Sequence, residues 1–139
     1  RSTVMSSWAP TAAIDFPNVD PEAGGEDAKV AAFVSAIRTA DAVVIGSPGY
    51  HGSFSGLVKN ALDHVELTAR DERVYFSGIP VGVIATAAGW QAAVTTLTAL
   101  RGVVHALRGW PTPLGVAINS QEADAVQRAE PQIAMMVDQ

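Results

Sequence analysis

The sequence predicts an α/β domain in which a parallel β-sheet is covered by helices on both faces. Three short runs, residues 43–45, 81–85 and 114–118, are apolar on both faces, as is typical of strands buried in a parallel sheet. Segments with helical periodicity separate these runs, and such alternation implies crossover connections between parallel strands. At 139 residues the chain has the length of a single domain with a substantial core.

Four helices are predicted from apolar residues that recur with helical spacing. Asp27 is placed to cap the first helix, and the second and third are expected over residues 55–66 and 91–108. A fourth is expected to begin at Pro131, because proline suits the first turn of a helix. The side chains expected to face the core are Val30, Phe33, Val34 and Ile37 in the first helix, Leu57, Ala61, Leu62 and Val65 in the second, Ala93, Leu97, Leu100, Val104 and Leu107 in the third, and Ile133, Met136 and Val137 in the last.

The predicted order of elements is therefore α-β-α-β-α-β-α. Residues 18–26 form a polar loop with proline and glycine, and residues 3–5 are a candidate for a further strand. The chain begins at Arg1 and ends at Gln139 inside a predicted helix. We expect one domain, residues 1–139, with more of the same domain on both sides.

Composition excludes several classes of function. A net charge of −5 with nine scattered Lys and Arg residues argues against a nucleic acid partner. The absence of cysteine excludes disulfides and thiolate chemistry and suits the cytoplasm. No apolar run is long enough for a membrane helix, so no membrane partner is expected. The histidines are isolated, which gives no metal site, and the serines lie in no G-x-S-x-G elbow.

Two segments follow predicted strands and could bind a ligand, because open α/β sheets bind ligands beyond the carboxyl ends of their strands. Residues 46–53 are rich in glycine, which lets backbone amides approach a flat ligand, and add Tyr50 and His51. Residues 86–91 add Trp90, which could stack on a ring or line a pocket. A plain connection between strand and helix, or a tryptophan used for packing or at an interface, would explain the same residues.

The residues 47–63 read Ser-Pro-Gly-Tyr-His-Gly-Ser-Phe-Ser-Gly-Leu-Val-Lys-Asn-Ala-Leu-Asp. This segment resembles the flavin loop and following helix of the NADPH-dependent FMN reductase family, which usually reads T/S-P-E-Y-N-G-S-x-P-G-x-L-K-N-A-L-D. Weaker similarity extends over most of residues 28–118. The sequence departs from the pattern at Gly49, where glutamate is usual, and at His51, where asparagine is usual.

The resemblance implies a flavodoxin-like three-layer fold with strand order 2-1-3-4-5 and an FMN reductase that uses NAD(P)H. Hydride would pass from nicotinamide through the flavin to a small acceptor such as free flavin, a quinone, an azo compound or a metal ion. Catalysis would need no protein acid or base, although His51 is a possible proton donor or an inert loop residue. The residues expected to bind FMN are Ser47, Pro48, Gly49, Tyr50, His51, Gly52, Ser53, Thr86, Ala87, Ala88, Gly89 and Trp90.

Two further expectations follow from the resemblance. The family binds the FMN phosphate in a G-S-x-R-x-x-S-type loop after its first strand, and nothing in residues 1–20 matches it, so we expect residues upstream to supply it. Lys59 and Asp63, one turn apart, lie on the helix that packs between subunits in the family, which implies a homodimer or tetramer. A solvated helix face would also explain this pair. The alternative functions are a quinone or azo reductase of the same fold and a non-catalytic electron carrier that binds FMN.

Overall fold

The computed structural model describes Pro17 and residues 27–139. Helix α1, Ala28–Thr39, leads into strand β1, Val43–Tyr50, which turns into the short strand β2, Ser53–Phe54. Helix α2, Gly56–Asp63, continues as a 3-10 helix, His64–Thr68, before strand β3, Pro80–Ala87. Helix α3, Trp90–Ala106, is followed by β4, Trp110–Pro111, by β5, Val116–Asn119, and by helix α4, Ala125–Val137.

The three predicted strands lie side by side in one sheet, and the α/β class is confirmed. Strand β3 pairs in parallel with β1 on one side and with β5 on the other. Two short strands were missed. β2 pairs antiparallel with the end of β1, and β4 lies beside the start of β3, on the same edge that β5 occupies further along. Within the described residues the order is thus β2-β1-β3-β4 with β5 also on β3, a small departure from 2-1-3-4-5.

Helices cover both faces of the sheet, as predicted. One core cluster joins the face of β3 that carries Val81 and Val83 to α1, α2 and α3. The second cluster lies between β5 and α4, where Met136 packs against Gly82. A β-carbon on Gly82 would lie 2.8 Å from Met136 Cε, so the absence of a side chain lets α4 approach the sheet closely.

The first three helices follow the predicted pattern, with instructive exceptions. Asp27 caps α1, because its Oδ1 accepts hydrogen bonds from the backbone N–H groups of Lys29 at 2.8 Å and Val30 at 3.2 Å. Leu57 was predicted to face the core but is 61% exposed, since α2 buries Ala61 and Leu62 instead. Leu97 in α3 and Leu107 just after its end are partly buried against the core, and the fully buried Thr96 was not anticipated.

The prediction that the last helix begins at Pro131 is wrong. α4 begins at Ala125, and Pro131 lies in its interior. The residues before the proline are good helix formers and already make the first turn, where Arg128 N–H donates to the carbonyl of Asp124 at 2.9 Å. Proline then removes only one backbone hydrogen bond. Met136 is buried and Ile133 is partly buried, but Val137 is exposed and not inward as predicted.

The predicted loop at residues 18–26 and the candidate strand at residues 3–5 lie outside the described residues. Pro17 itself is held by the second helical segment. Its carbonyl oxygen accepts a hydrogen bond from Asn60 Nδ2 at 3.2 Å and lies 3.0 Å from His64 Nε2.

Candidate functional site

The two predicted loops emerge together at one edge of the sheet. Strands β1 and β3 are parallel neighbours, with Pro48 opposite Thr86 near their carboxyl ends. The two strands remain close beyond that pair, since a β-carbon on Gly49 would lie 3.1 Å from Ala87 Cβ. The turn after β1 and the turn after β3 therefore open on the same side, where an open α/β sheet binds its ligands.

Most of the predicted loop after β1 is strand. We expected strand β1 to end at Ile45, but its pairing with β3 continues through Pro48, and Gly49 and Tyr50 then pair with Phe54 and Ser53 of β2. Only His51 and Gly52 form the turn, with φ of 50° and 93°. Positive φ at both central residues is the requirement of a type I′ hairpin, for which Asn-Gly is the preferred pair. Proline and glycine are typical of the end of a strand, but here the hydrogen-bonded pairing with β3 extends β1 through Pro48.

Tyr50 is the last residue of β1 and lies directly before the hairpin turn. Its side chain is 60% exposed, and His51 and Gly52 beside it are also exposed. A β-carbon on Gly52 would lie within 4 Å of none of the residues that the structure describes. The tip of the hairpin thus presents an aromatic ring beside open space.

Ser47 has an internal role. Its buried Oγ accepts a hydrogen bond from the backbone N–H of Ser55 at 2.9 Å and donates to the carbonyl of Pro48 at 2.8 Å. Ser55 in turn caps α2 through its own hydroxyl, which accepts from Val58 N–H at 3.2 Å. The Ser47 hydroxyl therefore holds the start of α2 against the end of β1.

Gly49 packs against helix α3. A β-carbon there would collide with Thr96 Oγ1, and only 1% of Thr96 is exposed. The Thr96 hydroxyl has no hydrogen-bond partner in the described part of the chain. Helix α3 therefore leaves no room for a side chain on that face of the strand, which fits the presence of glycine where the family usually has glutamate.

The predicted loop after β3 is shorter than expected. Thr86 and Ala87 belong to β3, and Ala87 is buried. Only the exposed Ala88 and the half-buried Gly89, with φ of 104°, connect the strand to α3. Trp90 is the first residue of α3 and is 52% exposed. It lies six residues before Thr96, or about 9 Å along the helix axis.

A third loop, after β5, completes this edge and was missed from the sequence. Asn119 Oδ1 accepts hydrogen bonds from the backbone N–H groups of Gly89 at 2.9 Å and Gln121 at 3.1 Å. The N–H of Ser120 donates to the carbonyl of Ala87 at 2.9 Å. The available signal was Asn119-Ser120 directly after a buried strand, at the same sheet edge as the other two loops.

The residues with shifted pKa values lie away from this edge. The Arg38 guanidinium, 2.7 Å from the carboxylate of Asp71, lowers the pKa of that carboxyl group by hydrogen bonding. The hydrogen bond that the Tyr75 hydroxyl donates to Glu66 raises the pKa of the tyrosine. Over residues 27–139 and Pro17, no three His, Asp or Glu side chains are grouped so that they could hold a metal ion.

An α/β sheet with three ligand-accessible loops at its carboxyl edge is the architecture of nucleotide and flavin-binding proteins. Residues 9–123 match the model of the NADPH-dependent FMN reductase family, and the chain belongs to that family. The recognition from the motif at residues 47–63 is confirmed. FMN and NADPH are the cofactors for which this family is named.

Curated relatives carry related names. An FMN-dependent NADPH-azoreductase of Staphylococcus haemolyticus is 32% identical over 109 residues, which cover 78% of this chain and 54% of the relative. An enzyme of the same name from Staphylococcus aureus is 37% identical over 83 residues, covering 60% of this chain and 40% of the relative. The chain thus spans about half the length of the curated relatives it matches.

Solved structures support the fold. The flavoenzyme NAD(P)H:(acceptor) oxidoreductase FerB of Paracoccus denitrificans superimposes with a TM-score of 0.68 at 20% identity, over 89% of this chain and 72% of that one. An NADH:FMN oxidoreductase in its apo form gives a TM-score of 0.63 at 24% identity, over 85% and 65% of the two chains. None of the helices in the described residues is long and apolar enough to cross a membrane.

Proposed function

We propose that this chain is the flavin-binding part of an NAD(P)H-dependent reductase that binds FMN at the carboxyl edge of β1 and β3. The observation that carries the proposal is the register of these strands: Pro48 opposite Thr86 puts the family's flavin-loop motif beside the turn after β3. Bound FMN would accept hydride from NAD(P)H and deliver electrons to a small acceptor. The azoreductase names of the curated relatives favour an azo compound as that acceptor, with a quinone or free flavin as alternatives.

The residues present fit a flat, uncharged ring system. Within residues 27–139, added β-carbons at Gly52 and Gly89 would meet nothing within 4 Å, so this part of the chain leaves the backbone of both turns open to close approach. The exposed ring of Tyr50 offers a surface for stacking on the flavin. The proposed FMN contacts are the other predicted site residues, with Ser47 contributing by holding the hairpin in place and Trp90 lining the side from which the acceptor approaches. His51 at the tip of the turn is a possible proton donor.

The proposal is tested by flavin binding to the full-length polypeptide and by a matched pair of aromatic substitutions. Tyr50→Ala should weaken FMN binding about 3- to 10-fold, because an aromatic stacking contact is lost. Trp110→Ala is the control, since Trp110 is also largely exposed but lies at the amino end of β3, where it pairs with Pro80. Fluorescence titration with FMN measures both, and equal losses in the two variants would contradict the proposed site.

Gly52→Val is a less direct test. Because Gly52 has φ of 93°, any side chain there strains the turn, so weaker FMN binding would not by itself show contact with the ring.

The identity of the flavin and the catalytic role need two further measurements. Chromatography of the released flavin should give FMN, and recovery of FAD alone would contradict the proposal. The FMN-loaded protein should oxidise NADPH or NADH when an azo dye or a quinone is added. A non-catalytic electron carrier would bind FMN but would not consume the pyridine nucleotide without a separate reductase.

We also place this reductase in the cytoplasm as a homodimer or a tetramer of dimers. Helix α2 supports the assembly, because it exposes Leu57 and separately carries the ion pair of Lys59 Nζ with Asp63 Oδ1 at 2.5 Å. An exposed apolar side chain on a helix that also carries charges suits the mixed apolar and polar character of a subunit interface. Sedimentation at micromolar concentration should give a dimer or larger, and a clean monomer would contradict this part of the proposal.

A further inference from the structure

The indole of Trp90 is held by a residue from a different loop. Trp90 Nε1 donates a hydrogen bond to Glu122 Oε1 at 2.8 Å, and Glu122 lies between β5 and α4. The other oxygen of the same carboxylate, Oε2, accepts from Arg128 Nη1 at 3.2 Å. The indole therefore extends from the start of α3 to the loop after β5, on the side of β3 away from the hairpin.

The backbone on both sides of this hydrogen bond is fixed independently of it. The turn that carries Trp90 is bound to Asn119 through the N–H of Gly89 at 2.9 Å. The loop that carries Glu122 is bound by its own N–H, which donates to the carbonyl of Asn119 at 3.1 Å. Removing the Glu122 carboxylate would thus leave both Cα atoms in place. Its removal would instead free the half-exposed Trp90 side chain, which has two rotatable bonds, to adopt other orientations.

We propose that Glu122 is a positioning residue that holds the Trp90 indole as a wall of the acceptor-binding site, beside the flavin at the carboxyl edge of the sheet. This role rests on the proposed function, since it needs a flavin at the edge of β1 and β3. The indole lies on the β5 side of β3, whereas Tyr50 belongs to the hairpin on the β1 side. Glu122 should therefore act on the acceptor and leave FMN affinity unchanged. Arg128 orients the carboxylate from behind and should matter less, because exposed ion pairs are weak.

The kinetic test compares Glu122→Ala with Glu122→Gln in the FMN-loaded, full-length protein with an aromatic azo dye as acceptor. Loss of one hydrogen bond that orients the wall should raise the KM for the dye about 3- to 10-fold, with kcat and the Kd for FMN within about twofold of the parent. Glutamine keeps an oxygen that accepts the indole N–H and should restore the KM. Glu130→Ala, an exposed glutamate on α4, is the control and should not change the KM.

A double-mutant cycle assigns the effect to Trp90. Trp90→Phe lacks the indole N–H, so adding Glu122→Ala to it should raise the KM no further. Additive effects would overturn the proposal, because Glu122 would then act on the acceptor by another route. A fall in FMN affinity as large as the rise in KM would overturn it as well.

A second readout needs neither flavin nor turnover. In a background where phenylalanine replaces Trp8, Trp110 and any tryptophan outside residues 1–139, the fluorescence reports on the Trp90 indole alone. Glu122→Ala should increase quenching by acrylamide and shift the emission to longer wavelength, whereas Glu122→Gln should leave both near the parent values. Unchanged fluorescence in Glu122→Ala would overturn the positioning role. If the fluorescence changes but the protein neither binds FMN nor oxidises NADPH, the proposed function and the acceptor role fail, and the hold on the indole stands.

Discussion

The turns after β1 and β3 lie at the same edge of the sheet, yet they are held in place by different means. The hairpin after β1 is shaped locally, by positive φ at His51 and Gly52 and by pairing with β2. The turn after β3 is held from outside, by Asn119 on its backbone and Glu122 on its tryptophan. The family motif covers the first turn, and the second carries no comparable motif. A locally encoded turn leaves a pattern in consecutive residues, whereas a turn held by a distant loop does not.

The largest effect is expected where the hairpin meets α3. Gly49→Ala should lower the free energy of unfolding by about 1–3 kcal/mol, because its β-carbon collides with Thr96 Oγ1. Gly46→Ala in the same strand is the matched control and should be nearly neutral, since a β-carbon there meets no atom of the described residues within 4 Å. Urea unfolding measures both variants.

The companion substitution Thr96→Ala sharpens this test. It removes a buried hydroxyl without a partner in the described residues, so by itself it should cost little. Combined with Gly49→Ala it should recover part of the lost stability. Independent, additive effects of the two substitutions would contradict the contact between them.

A smaller but clear effect is expected at the turn after β3. Asn119→Ala leaves the N–H groups of Gly89 and Gln121 without their acceptor and should lower the free energy of unfolding by about 1–2 kcal/mol. Asn119→Asp retains an acceptor oxygen and should lose less. Faster amide hydrogen exchange at Gly89 in the alanine variant, measured by NMR, would locate the loss. If the alanine and aspartate variants were equally stable, the turn after β3 would be held by other contacts.

The smallest effect is expected at the hairpin tip, and its sign is reversed. His51→Asn should raise the free energy of unfolding by about 0.5 kcal/mol, because asparagine tolerates the left-handed conformation better than histidine. Gly52→Ala should act in the opposite direction, since its φ of 93° suits only glycine. Thermal unfolding of the two variants checks the signs, and a destabilised His51→Asn variant would mean that His51 makes a contact stronger than the strain it bears.

The sequence predicted the class of fold and the two turns that the structure brings to one edge of the sheet, where we propose the site. The buried strands around Ile45 and Val83 and the cap of α1 at Asp27 follow from local patterns, because burial on both faces and capping depend on adjacent residues. Element ends were less predictable. β1 runs five residues past Ile45 because pairing with β3 and β2 outweighs the glycines and the proline.

Sequence alone determined the family and the order of the main helices and strands, and it predicted the candidate site residues of the segment after Ile45, since each is written in consecutive positions. Only the tertiary structure decided how that site is assembled. Asn119 and Glu122 bind the turn before α3 and Trp90, although they lie about 30 residues further along the chain. Thr96 of α3 fills the space beside Gly49 of β1. Hydrogen bonds and packing between residues far apart in the chain leave no periodic or consecutive pattern, so they become visible only when the fold brings the three loops to one edge.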